Sequence, residues 1–323
     1  MKLQLISHAC LLISTGDLRI LTDPWLFGTA FNDSWRLSPP ANTDSLDLDS
    51  IDFLWLSHEH PDHFHIPTLK ELPQKFKDNV TVLFQENNSS KVVNALKLFG
   101  FSKFVLLPHR KTITLIGSTS VYCYQVGAMD SSLAVSDGQE TLLNVNDCEF
   151  SRSDCYKVKS DIGAPDVVLN QFSIAGYSGE PNYPTRLPQL AKKILDNCVN
   201  NHRDLGAKWT VPVASFVEFC QPDNKYVNEY HNKVTEVFAR FEEECLRTKV
   251  LFPGNEWEIG DESFCDQLEL YIEYYKGYDC ESLTSNSKAI DEIQVAYLNR
   301  YAQLSEDHWW FCRQLLSPIV VEV

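Results

Sequence analysis

Apolar and polar positions divide the chain into a strand-rich opening, an alternation of strands and helices, a run of strands and a helical end. Lys2–Ile6, Cys10–Ser14 and Leu18–Leu21 are short apolar runs, and Ser14-Thr15-Gly16-Asp17 supplies a hairpin turn between the last two. Pro24 to about Asn42, with Pro39-Pro40, reads as a turn-rich loop. Ile51–Leu56 is a strongly apolar strand that stops at Ser57. Beyond it, Asp62–Leu72 and Ser90–Phe99 have helical spacing, and Val80–Phe84 and Lys103–Leu107 read as strands. Thr112–Ile116, Thr119–Gln125, Ser132–Val135 and Thr141–Val145 follow as successive strands, with a turn at Asp137-Gly138.

Further along, Asp166–Asn170, Lys208–Val213 and Lys249–Phe252 are strand-like, and Leu187–Cys198 and Tyr226–Leu246 are helical. In the second helix Tyr230, Val234, Phe238, Phe241 and Cys245 share a face. Composition shifts near Gly254, after which Glu262–Tyr275 and Ala289–Leu304 are aromatic-rich amphipathic stretches. The pattern thus predicts a main body over 1–254 and a helical C-terminal extension over 255–323. The extension is expected to pack on the main body, because ~70 residues with few apolar side chains make a weak core alone.

Composition narrows the classes. With 323 residues, 44% hydrophobic and 22% charged, the chain is globular rather than disordered, collagen-like or a long coiled coil. Its net charge of −16 repels phosphate backbones, which argues against a nucleic-acid partner and for a small-molecule substrate. No stretch approaches the ~20 apolar residues of a membrane span, and Met1–His8 lacks the apolar core of a signal peptide. Ten scattered cysteines without a C-x-x-C pair read as reduced, buried thiols, so a cytoplasmic location is expected. Oligomeric state is left open.

The chemistry concentrates in Ser57-His58-Glu59-His60-Pro61-Asp62-His63-Phe64-His65, where an apolar strand gives way to a helix. His58 and His60 are two apart, so extended backbone aims both imidazoles to one side. Pro61 bends the chain, and Asp62 and His63 then offer an oxygen and a nitrogen to a second ion nearby. Such ligands suit Zn, Fe, Mn or Co better than Mg or Ca. The alternative is a polar turn capping a helix through Asp62, but crowded imidazoles without a ligand would repel or stay unsatisfied. His65 falls in the following helix and is not assigned as a ligand.

His58-x-His60-x-Asp62-His63 resembles the H-x-H-x-D-H signature of the metallo-β-lactamase superfamily. Ile20–Leu26 resembles that superfamily's early strand ending in an aspartate, here Asp23, and Leu142–Cys148 its later strand ending in a metal-bridging aspartate, here Asp147. Asp23–Phe31, Asn144–Cys148 and Pro212–Glu218 are similar to the CMP-N-acetylneuraminate hydroxylase-like branch. His8-Ala9-Cys10 is similar to the opening of that branch and of the ascorbate-phosphate lactonase relatives. The resemblance covers roughly residues 1–255. It implies an α/β fold, an αββα sandwich, with a dinuclear site at one edge. The hydroxylases also carry a Rieske iron–sulfur domain, and the C-x-H…C-x-x-H pattern of that domain is missing here.

Two histidines that the superfamily pattern expects are absent. In place of one stands Tyr124–Ser132, where Asp130 is the nearest ligand, or alternatively a turn aspartate. In place of the other, near Cys220-Gln221, there is none; His231 and His109 are weaker candidates, and His202 and His308 are expected at the surface. The expected metal ligands are therefore His58, His60, Asp62, His63, Asp147 and Asp130, holding two divalent ions, Fe or Zn, with Mn also suitable. The carboxylate replacement tilts this set towards Fe or Mn. Asp62 is also the expected catalytic residue, orienting the nucleophile. His8, Gln171 and Tyr177 are expected substrate contacts, His8 alternatively supporting a ligand, and Asp23 is expected to organise ligands from behind.

These assignments point to a metal-dependent hydrolase. A metal-bound hydroxide would attack a small-molecule ester, thioester, lactone, amide or phosphoester. A diiron, O₂-dependent oxygenase would use the same residues, and a binding protein with a degenerate metal site is the alternative outside enzymology.

Overall fold

Strands β1 Lys2–Leu5, β2 Leu11–Ser14 and β3 Arg19–Thr22 open the chain. Two short strands, β4 Thr29–Ala30 and β5 Trp35–Leu37, precede β6 Phe53–Leu56, α1 Ile66–Glu71 and α2 Gln74–Asn79. Then come β7 Thr81–Gln85, α3 Lys91–Leu98, β8 Lys103–Leu107, β9 Lys111–Ile116, β10 Thr119–Val126, β11 Asp130–Ser136 and β12 Thr141–Asn146. The remainder is α4 Arg152–Ile162, β13 Val167–Gln171, α5 Arg186–Leu205, β14 Trp209–Val213, β15 Val217–Phe219, α6 Val234–Glu243, β16 Glu256–Glu258 and α7 Leu268–Lys276. The structure is a computed structural model, and it describes residues 1–87, 89–176, 186–222 and 224–276. The helix expected over Ala289–Leu304 lies outside the described residues.

The strands form a seven-stranded sheet in the order β16-β1-β2-β3-β6-β7-β8, a six-stranded sheet in the order β14-β13-β12-β11-β10-β9, and a small sheet β15-β5-β4. Alternation of side chains sorts the core. Ile20, Phe53, Trp55 and Leu83 of the first sheet meet Val121, Cys123, Leu133, Val135 and Leu142 of the second between the sheets. The opposite faces carry Leu21, Leu54, Leu56, Val82 and Phe84, packed with Leu69, Phe76 and Leu96 of α1–α3. On the other side Tyr122, Tyr124, Leu143 and Val145 pack with Cys155 and Val158 of α4. This is the expected αββα sandwich, apolar on both faces of both sheets because helices cover the outer ones.

Several expectations about elements are corrected. The loop from Pro24 to Asn42 contains β4 and β5, too short to show a periodicity. The helix expected from Asp62 begins at Ile66, with His65 at its N-cap accepting from Thr68 N, which leaves Asp62 and His63 in the turn. Tyr226–Leu246 is not one helix: a 3-10 turn over Lys225–Tyr230 is separated from α6 by extended residues. There the Asn232 side chain donates to the Phe172 and Ala191 carbonyls, pulling the backbone out of helical geometry. Lys249–Phe252 is not a strand; it trails beside β14 through Lys249 N donating to Thr210 O. Helix α4 was missing from the expected elements because only Cys155 and Val158 are buried, too narrow a stripe to read. Its start is fixed instead by a capping box between Ser151 and Asp154. The first sheet also continues beyond the compositional boundary at 254, since Glu256–Glu258 pairs antiparallel with β1 and buries Trp257.

Candidate metal centre

Strand directions bring the chemistry to one edge. β3 and β6 are parallel, so Asp23 and Ser57-His58 emerge from the same end of the first sheet. β1 runs in the same sense as β3, because β2 is antiparallel to both, and its turn Ile6–Cys10 carries His8 to that end. In the second sheet β11 is antiparallel to β12, so the start of β11, Asp130, lies beside the end of β12, Asn146-Asp147. The turn bearing His8 is closed by Ile6 N donating to Cys10 O and is tied down by Ser7 Oγ on Trp25 O and Ala214 N on His8 O. Asp130 is held by Ser131 Oγ donating to Ser57 O and Gln85 Nε2 donating to Met129 O.

The ligand atoms converge as three overlapping groups: His58 with His60 and Asp130, His58 with His63 and Asp147, and His8 with Asp62 and His63. Within each, one nitrogen or oxygen per residue lies within 4.8 Å of the others. His58 Nε2 is 2.8 Å from His60 Nδ1, 3.4 Å from Asp147 Oδ2 and 4.0 Å from Asp130 Oδ1. His63 Nε2 is 3.4 Å from Asp62 Oδ2 and 3.5 Å from Asp147 Oδ2. His8 Nε2 is 3.3 Å from Asp62 Oδ2. All six residues expected as ligands are thus brought together, and His8 joins them rather than standing apart as a substrate contact.

Asp23 sits behind the cluster, fully buried. It accepts from Ser57 N at 2.8 Å, Ser57 Oγ at 2.7 Å, Asn146 Nδ2 at 2.7 Å and His63 Nδ1 at 2.9 Å. Four donors compensate a buried carboxylate that would otherwise be costly. They also fix the His63 tautomer, leaving Nε2 facing the cluster. His58 is oriented similarly, its Nδ1 2.9 Å from Ser57 Oγ.

The donor set fits metal. His63 Nε2, His8 Nε2, Asp130 Oδ1 and Asp147 Oδ1 are buried with no hydrogen-bond partner, yet all belong to the converging groups. Native interiors rarely leave such atoms unpaired without an ion or water. Protonation follows the surroundings. Burial and the neighbouring His63 bring His58 down to about 4, so its imidazole is neutral. Burial also lowers His8. Burial opposes the charge on Asp62, but His63 and His8 beside it hold the carboxyl well below its ordinary range. Burial likewise disfavours charge on His63, and the carboxylates of Asp147, Asp62 and Asp23 reverse this and raise it. Burial and Asp147 raise Asp130.

A cavity of about 430 Å³ opens onto His60, Asp62 and Asp147 and is walled by Phe31 and Trp35. Gln171 ends β13 at the same edge but joins neither the ligand groups nor this cavity's lining. Tyr177 lies outside the described residues. His109 accepts from Gln125 N and packs on Tyr124, away from the cluster. His231 joins no ligand group. His202, expected at the surface, is buried against Thr210 Oγ1 because α5 runs on to Leu205. His8 as a member of the cluster, and the walls Phe31 and Trp35, escaped sequence reasoning: the residues between them and the motif carry no periodic signal.

Comparison with known proteins agrees with this geometry. Residues 2–130 match the beta-lactamase superfamily domain. The sandwich and the motif agree with that match, and the fold is that of the metallo-β-lactamase superfamily. The similar curated proteins include hydroxylases and Rieske iron–sulfur proteins. The cytidine monophosphate-N-acetylneuraminic acid hydroxylase of Danio rerio is 26% identical over 267 residues, covering 77% of this chain and 44% of its own. A putative Rieske 2Fe-2S iron-sulfur protein of Mycolicibacterium smegmatis is 28% identical over 256 residues, covering 74% and 48%. The chain spans about half the length of these relatives. Among solved structures, CmlA, a diiron beta-hydroxylase from Streptomyces venezuelae, has a TM-score of 0.57 at 16% identity, covering 80% of this chain and 54% of its own. An isothiocyanate hydrolase from Delia radicum gut bacteria also has a TM-score of 0.57, at 15% identity, covering 80% and 98%.

Proposed function

We propose that the chain is a metal-dependent hydrolase of a small molecule, with two divalent ions held at the sandwich edge. The observation that carries this is the pair of three-residue groups, His58/His60/Asp130 and His8/Asp62/His63, with Asp147 reaching His58 and His63 between them. Divalent ions bound there would polarise a carbonyl or phosphoryl oxygen and make water acidic near neutral pH. The chain's own residues do the rest. Asp23 and Ser57 keep His63 and His58 aimed inwards. Asp62, buried and anionic, accepts a hydrogen bond from the attacking water and orients it towards the cavity it lines. Trp35 and Phe31 limit the water that reaches the reacting bond.

A second function uses the same residues for O₂-dependent hydroxylation by two irons. It is favoured by Asp130, a carboxylate that makes the set richer in oxygen. The similarity to proteins named as hydroxylases, among them a diiron enzyme, supports it further. The net charge of −16 favours a small-molecule substrate over nucleic acid. Among the described residues no helix is long and apolar enough to cross a membrane, and the described cysteines are all free, as suits a reducing, cytoplasmic setting.

Elemental analysis of protein purified without added metal tests the proposal, alongside an Asp130→Ala variant. Two ions per chain are expected, falling to one in the variant. Zinc with ester or lactone hydrolysis supports the hydrolase; iron with O₂ uptake selects the oxygenase. No stoichiometric metal after reconstitution would sink both.

A further inference from the structure

The cavity over the cluster has walls of a definite chemistry. Phe31 and Trp35 pack with ring centroids 4.3 Å apart and planes at 48°. Trp35 is fixed from behind by an edge-to-face contact with Phe219 at 5.1 Å and is almost wholly buried. Phe31 is held in place by its backbone: Phe31, Asn32 and Asp33 have φ of 53°, 54° and 60°, three left-handed residues in succession. Asparagine and aspartate tolerate this region, whereas a bulky phenylalanine rarely adopts it.

The turn is braced from outside. Ser34 N donates to Ala30 O at 3.1 Å, Gln221 Nε2 to Asp33 O at 2.9 Å and Cys220 N to Ser34 O at 2.9 Å. The surroundings thus over-determine the strained backbone, which holds an aromatic ring in the wall of the cavity. The small residues Ser34, Ala175 and Gly176 also line the cavity. Among the described residues lining this cavity there is no lysine or arginine. Lys225 and Lys233 line a separate cavity of about 560 Å³.

We infer that Phe31, seated on the buried Trp35, forms a preformed platform for an aromatic group of the substrate that bears no negative charge, carried next to the bond that reacts over the cluster. Phe31 is the specificity-determining residue. A planar ring buries its face against Phe31, and an offset or edge-on stack adds to its desolvation. An anionic group here would lose its hydration with no lysine or arginine among the described lining residues to replace it. The inference deepens the proposed function and rests on the same site.

Calorimetric titration of the full chain tests it, with metal analysis of the same sample. The probes are acetanilide, its saturated analogue N-cyclohexylacetamide and its charged analogue 4-acetamidobenzenesulfonate. Acetanilide is expected to bind at least tenfold more tightly than either analogue. Phe31→Gly, which takes a positive φ without strain, should weaken acetanilide at least fivefold at unchanged thermal stability, and Phe31→Tyr should retain it within twofold. Equal affinity for either analogue overturns the inference, as does unchanged affinity in Phe31→Gly. Metal-loaded protein that binds no acetanilide also overturns it while leaving the metal reading intact. Phe31-dependent binding in a chain that takes up no metal does the reverse.

Discussion

Asp23 is the residue on which the cluster's order depends. It touches no ligand atom that faces the cavity, yet its Oδ2 accepts the proton-bearing Nδ1 of His63. Asp23→Asn keeps the volume but removes the charge that fixes this tautomer. Metal affinity, read by competition with a chelator, is expected to fall roughly 10–100-fold with all the ligands retained. Asn146 contributes to the same order: at φ 59° it turns its amide onto Asp23 and Ser57. His202 gives a pH prediction away from the metal. Burial, then Arg203, bring it down to about 4 from an ordinary value near 6.5. The folded state therefore binds fewer protons than the unfolded one in that window, and stability falls as pH drops from 6.5 towards 4. In melting curves against pH, His202→Asn should lose less stability than the parent chain across this window. Equal losses would show that His202 is not the group responsible.

Elements explain which parts of the architecture were readable. β10, β11, β12 and β6 alternate between the inner core and an outer, helix-covered face, and long apolar runs of this kind stand out in one dimension. β4 and β5 do not, because strands of two and three residues have no period. The Tyr226–Leu246 stretch shows the opposite failure. Its spacing is helical, but Asn232 finds backbone carbonyls on β13's exit and on α5, and those contacts override propensity. β16 carries an element-scale prediction. Trp257 is fully buried, donates Nε1–H to Asp261 O and meets Trp209 edge-on at 5.8 Å. Trp257→Ala should cost about 3–5 kcal/mol in denaturant unfolding, as for other large-to-small core changes. A cost near zero would show that the sheet's edge strand is dispensable.

At the scale of the whole molecule, the cluster joins the two sheets. His8 and His58–His63 come from the first, Asp130 and Asp147 from the second. Ions bound between them stabilise only the folded arrangement. At a free concentration 100 times Kd, one ion adds about 2.7 kcal/mol, so chelation should lower the melting temperature by several degrees. A melting temperature indifferent to chelator and to added metal would mean that no ion ties the sheets.

Most of the strands and the heart of the cluster were legible in the chain alone, and the sandwich was legible through the resemblance those residues carry. Strand alternation and the spacing His58-x-His60-x-Asp62-His63 are local, since a backbone a few residues long suffices to aim those side chains. Asp23, Asp130 and Asp147 were legible through the resemblance of the segments around them, or through the gap left by a missing histidine. Only the tertiary structure decided that His8 joins Asp62 and His63, and that Phe31 and Trp35 wall the cavity. Both depend on strand order, on β1 running in the sense of β3 and on a strained turn braced by residues nearly 190 positions away. Contacts of that separation leave no period in the chain, because they are made by the closing of sheets and not by neighbouring residues.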